Sequence, residues 1–194
     1  MLLRLAVVAG VVLAAVPASA SVIVQLDVPT LAARADGIVR GRVVDQRARW
    51  DAQHTRIFTD VRVAVDQVYK GPGAPGDVIV VTRLGGSVDG VGMKVAGEAA
   101  FVLGEEALVF LRRQAAGGRL YHTVLGMAQG KLTVVRGPRG AQVVQSAALA
   151  GLRLVAPGPG RRVRPAAPPP AVRPLADVER AIRAALPRRP AVPR

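Results

Sequence analysis

The sequence predicts a mainly β fold, a small barrel of five or six strands with a short helix towards each end. Three observations carry this expectation. From Arg56 to Lys70, Ile57, Thr59, Val61, Val63, Val65 and Tyr69 share one parity, while Arg56, Asp60, Arg62, Asp66 and Lys70 share the other. Strand side chains alternate between faces, so this is a half-buried strand with one wet side. Turn clusters recur at Gly71-Pro72-Gly73, Pro75-Gly76-Asp77 and Gly137-Pro138-Arg139-Gly140, where the chain must reverse. Helical spacing of apolar residues is confined to two short stretches.

Taken in order, the chain opens with Arg4, an apolar run from Leu5 to Val16, and Pro17-Ala18-Ser19-Ala20. One charge, a short apolar segment and a small-x-small site read as an export signal over residues 1–20. The run falls short of the roughly 18 apolar residues of a spanning helix, and no later segment reaches that length. Cleavage would leave Ser21 first; an uncleaved anchor is the alternative. The barrel domain is expected over residues 21–155. Ser21–Leu26 is a short apolar strand or arm. Val28–Asp36 is a short helix with Pro29 in its first turn and Gly37 as its stop. Val39, Gly41 and Val43 alternate with Arg40 and Arg42 as a first barrel strand, and Arg56–Lys70 is the second. Val78–Leu84, nearly apolar on both faces, is a third and more central one.

Gly85–Gly97 carries glycines at 85, 86, 90, 92 and 97 and reads as a long mobile loop or loose hairpin, with Met93 and Lys94 near its tip. Leu108–Arg112 is a strand entered through Gly104-Glu105-Glu106. Leu120–Leu125 and Lys131–Arg136 are expected to pair around Gly126–Gly130, with Ala141–Gln145 as an edge. Residues 156–174, centred on Pro168-Pro169-Pro170, read as an extended linker. Leu175, Val178, Ile182 and Leu186 then mark an amphipathic helix over 175–187, with acids early and arginines late as the helix dipole favours. Residues 188–194 are a basic tail. A long second strand and a glycine-broken connection before the fourth favour a five-stranded Greek-key barrel of OB type, with a two-sheet β-sandwich as the alternative.

Composition narrows the chemistry. The 194 residues include no cysteine, which excludes thiolate metal sites, thiol nucleophiles and disulfide staples. The net charge is +14, with 24 arginines against three lysines. Only six residues are aromatic, so the interleaved basic and aromatic face of a nucleic-acid binder is not expected. Weak contact with anionic surface polymers fits the charge better. His54 lies in a polar loop, and His122 shares parity with Leu120 and Val124 as a core or rim residue. Ser87 has no nearby histidine and reads as a turn serine. Glu105 and Glu106 open a strand, where neighbours face opposite ways, so they do not pair as the two carboxylates of a glycosidase would. Gly90-Val91-Gly92 lacks the dinucleotide pattern, and Gly126–Lys131 falls one residue short of the P-loop spacing. No enzyme constellation and no cofactor are expected.

Several runs carry a family likeness: Ala35-Asp36-Gly37-Ile38-Val39-Arg40-Gly41-Arg42-Val43, Val65-Asp66-Gln67-Val68-Tyr69-Lys70-Gly71, Gly104-Glu105-Glu106-Ala107-Leu108-Val109-Phe110-Leu111 and Gly126–Lys131. They resemble uncharacterised exported bacterial β proteins. Their order is similar to netrin-like domains, which include the tissue inhibitors of metalloproteinases and have an OB-type barrel. The likeness spans about Leu31 to Val135. In those inhibitors the mature amino-terminal residue chelates the target's zinc. The resemblance therefore implies that Ser21 could chelate and that an arm containing Val22 and Ile23 could enter a cleft. This chain lacks the cysteines that pin that arm in the family.

The function expected is an exported, periplasmic or extracellular, non-catalytic module that binds an as yet unidentified protein. Ser21, Val22, Ile23, Met93 and Lys94 are its candidate contact residues. An inhibitor or regulator of a co-secreted zinc metalloprotease is the first alternative, and an enzyme of unknown type the second.

Overall fold

A computed structural model describes residues 22–71, 73–116, 118–138, 140–149, 152–155 and 172–187. The expected export signal, Ser21, residues 156–171 of the expected linker and the basic tail lie outside the described residues. The elements are β1 (Val22–Val24), α1 (Val28–Arg34), β2 (Gly37–Trp50), β3 (Ile57–Lys70), β4 (Val78–Leu84), β5 (Gly86–Val88) and β6 (Val91–Met93). They continue with β7 (Glu106–Ala116), β8 (Arg119–Val124), a 3-10 turn (Met127–Gly130), β9 (Lys131–Gly137) and β10 (Gly140–Gln145). A second 3-10 turn (Ala147–Leu149), β11 (Arg153–Val155), β12 (Val172–Pro174) and α2 (Leu175–Ala185) complete them.

Local chemistry accounts for the ends of α1. The Asp27 carboxylate accepts from the Thr30 amide at 2.8 Å, capping an otherwise orphaned donor, and Pro29 needs no partner there. The Thr30 side chain, and after it the Thr30 amide, holds the Asp27 pKa below its ordinary value. The alternation read in β3 is present: Ile57, Thr59, Val61, Val63 and Val65 are buried and Arg62 and Asp66 exposed.

The described strands do not make the five- to six-stranded closed barrel of OB type that the sequence and the netrin-like resemblance predict, nor a β-sandwich. Eight of the twelve make one mixed sheet in the order β12-β10-β9-β7-β2-β3-β4-β8, with helices packed on it, while β1 pairs with β11 and β5 with β6 in two-stranded sheets. β8 also returns to β7, but β4 and β8 meet at one residue pair, Val81 with His122. Past β7 the sheet runs on through β9, β10 and β12 to an open edge.

The physical reason lies around β7. Leu120–Leu125 and Lys131–Arg136 do not pair with each other as expected. β2 takes one edge of β7, and along the other edge β8 pairs with residues 111–116 and β9 with residues 106–109. β8 and β9 thus follow one another down the same side, separated by the 3-10 turn. Gly130 makes this offset possible, because a Cβ there would lie 2.1 Å from the Leu125 carbonyl oxygen. Gly126–Gly130 is a step within a strand line rather than the head of a hairpin.

Two cores result. Val39, Val61, Val63, Val81, Val109 and Leu111 pack on one side of the sheet. On the other, Ile38, Leu108, Phe110 and Leu132 pack under Val28, Leu31 and Ala32 of α1 and Leu175, Val178 and Ile182 of α2. The run Ala107–Leu111 is buried on both faces, as a central strand should be. That position belongs to β7, not to β4, whose Val78 and Val80 are exposed. The expected carboxy-terminal helix docks: the Tyr69 hydroxyl donates to Glu179, and Arg183 lies 3.6 Å from the same carboxylate. Burial raises the Tyr69 pKa, and the Glu179 hydrogen bond adds to it. The last residues of the expected linker are β12, paired with β10.

Candidate binding surfaces

One concavity is a groove of about 960 Å3 on the outer side of β2, β3 and β4, bordered by β8. Strand register explains its floor. Arg49 sits opposite Phe58, Arg47 opposite Asp60, Asp60 opposite Thr82 and Arg62 opposite Val80. Because the buried residues of β3 are the odd ones, these positions share the wet face. The Arg49 guanidinium donates to Asp60 twice, at 2.7 and 3.3 Å, and lies 5.7 Å from the Phe58 ring centre. Thr82 donates to the same Asp60 at 2.7 Å. This fork raises the Arg49 pKa further above its ordinary value, chiefly through the Asp60 hydrogen bond.

One end of the groove is the loop joining β2 to β3. Asp51 accepts from the Thr55 amide, the Thr55 hydroxyl and the Arg56 amide at 2.7–3.1 Å. His54, with φ of 52°, stacks on Trp50 with centroids 5.8 Å apart. It is exposed, as its polar surroundings suggest. His122 is half-buried at the groove rim, between Tyr121 and the pair it makes with Val81. Beside it Leu120 is 71% exposed and, on the neighbouring β4, Val80 is 38% exposed.

A second pocket, of about 740 Å3, lies beside the β5–β6 hairpin. Gly85–Gly97 therefore contains the hairpin that was one of its two expected forms. Met93 and Lys94 line this pocket with Arg83, Glu98 and Leu152. Desolvation raises the Glu98 pKa, opposed by the Ala99 amide and by Arg83. A raised carboxyl pKa means that its contribution to stability is complete below the ordinary 4.5 and is lost as pH climbs through the raised value. Glu98→Gln is accordingly expected to gain on the parent by about 0.5 kcal/mol between about pH 4 and pH 7, discounted for solvent screening. Urea unfolding at both pH values measures this, and an unchanged gap would contradict it.

The amino-terminal arm is held in place. β1 pairs in parallel with β11, and Gln129 receives the Leu26 amide at 2.8 Å while donating to the Val24 carbonyl at 3.0 Å. Val22 is exposed and Ile23 half-buried. Of the five candidate residues, Val22 and Ile23 lie in β1, paired with β11, Met93 and Lys94 line the second pocket, and Ser21 is outside the described residues. Glu105 and Glu106 do diverge, but each anchors cations. Lys131 binds Glu105, while Arg40 and Arg136 bind Glu106.

Sequence reasoning missed the groove. Asp60 and Arg62 were legible on the wet parity, but Arg47 and Arg49 required β2 to extend past Val43, and Phe58 lay outside the apolar parity. Leu120, expected only as a strand residue, is the clearest lost signal. Among the described residues no helix is long and apolar enough to cross a membrane. Comparison with known proteins finds no matching family model, curated protein or solved structure. The netrin-like resemblance thus rests on short strand and turn motifs alone, and the eight-stranded sheet does not support it. The chelating role it implied for Ser21 concerns a residue outside the described ones.

Proposed function

We propose that this protein is a non-catalytic binding module, acting outside the cytoplasm, that grips a protein partner through the groove on β2, β3, β4 and β8. The feature that most supports this reading is the exposure of Leu120 and Val80 on neighbouring strands beside an arginine and aromatic floor. Burying a side chain such as Leu120 contributes about 1.5–3 kcal/mol. Arg49 is already fixed by Asp60 and Phe58, so an incoming carboxylate meets donors that lose little further freedom. Arg47 and Arg62 add positive charge around it. The partner segment that fits is extended, acidic and studded with apolar residues.

The test compares the parent with an Arg62→Glu, Leu120→Asp variant and with a deletion of Val22–Val24, using labelled synthetic peptides that alternate Asp and Leu. Binding is expected to weaken at least about tenfold in the groove variant, to fade with added salt and to survive the arm deletion. Equal binding by the groove variant, or loss on deleting the arm alone, would refute the proposal. Capture of native partners from the exported fraction with the same three proteins then identifies the ligand.

A further inference from the structure

The pocket beside β5 and β6 contains Arg83, which shares with Arg40 a buried Nε that has no hydrogen-bond partner. Arg40, Arg49 and Arg136 each meet a carboxylate within 3.2 Å. Arg83 is half-buried, its Nε is hidden without a hydrogen-bond partner, and among the described residues no carboxylate lies within ion-pair distance of its guanidinium. Its burial lowers its pKa, with only a through-space attraction from Glu98 in opposition. A desolvated cation without a partner is costly, and both it and Glu98 border the same space.

We propose that this pocket binds an α-amino carboxylate through Arg83 and Glu98. The ligand's carboxylate meets the Arg83 guanidinium, its adjacent N–H donates to Glu98, and an aliphatic side chain lies against Met93, Val95 and Leu152. The two charges of the site set this selectivity. A planar carboxylate matches a guanidinium fork, whereas phosphate, with more negative charge and no adjacent N–H, is repelled by Glu98. Lys94 is exposed at the rim and adds to the attraction. This chemistry occurs in a free amino acid and at the end of a peptide chain. Neither depends on the groove proposed above.

The experiment is calorimetric titration of the protein with L-leucine, N-acetyl-L-leucine, L-leucinamide and inorganic phosphate. At least one of the two carboxylate probes is expected to saturate, with leucinamide and phosphate weaker by about tenfold or more. Tighter binding of leucine points to a free amino acid, and equal or tighter binding of the acetylated probe to a chain terminus. Arg83→Gln and Arg83→Lys should each lose about tenfold, the second showing that charge without the planar fork is insufficient. Glu98→Gln should narrow the preference over phosphate. No saturation by either carboxylate up to about 10 mM, leucinamide binding as well, or unchanged affinity in a folded Arg83→Gln variant would each overturn the proposal.

Discussion

Replacing Lys131 with methionine is expected to destabilise the protein by about 3–5 kcal/mol. Lys131 is 3% exposed, and its ammonium donates to Glu105 at 2.8 Å and to Thr133 at 2.7 Å. The Phe101 ring lies 5.5 Å away. Desolvation lowers the lysine's pKa while Glu105 holds it up, so the charge is tolerated because its partner is there. Methionine fills much the same volume but strands the Glu105 carboxylate with only the Val102 amide and the Thr133 hydroxyl. A Lys131→Met, Glu105→Gln double variant removes both charges and should recover most of the loss. Urea midpoints of the single and double variants decide the matter: a single-variant cost below about 1 kcal/mol would place this pair among the weak surface ones.

Ile182→Ala should cost about 2–5 kcal/mol, the range for deleting buried aliphatic bulk. Ile182 is fully buried in the core that joins α2 to α1 and β10. An eleven-residue helix is marginal by itself in water, so α2 owes its form to docking. The variant should show faster amide exchange throughout α2 and a lower urea midpoint, with Ile182→Val losing only about 0.5–1.5 kcal/mol. If exchange rose in α2 with the midpoint unchanged, the helix would be an accessory to the fold rather than part of it.

Where the sequence was legible, it was legible through period. The β3 alternation and the Leu175, Val178, Ile182 spacing report local geometry, and the structure contains both elements. Strand partnership is different, because nothing in Leu120–Leu125 or Lys131–Arg136 says which edge each will join. Both run antiparallel to β7, as either would to the other, and only the Gly130 step distinguishes the two cases. The same limit applies to the binding surfaces. Arg83 and Glu98 are fifteen positions apart, and their meeting depends on how β5 and β6 fold back. Ile23 was visible as apolar, whereas the Gln129 amide that clasps its neighbour Val24 lies more than a hundred positions downstream.

α1 and α2 share one core although they stand at opposite ends of the described chain. During synthesis α1 is made well before α2, the helix that shields it. Until then its oily flank faces water or a passing chaperone. A chain ended before residue 172 would therefore leave the ribosome with one side of this core uncovered.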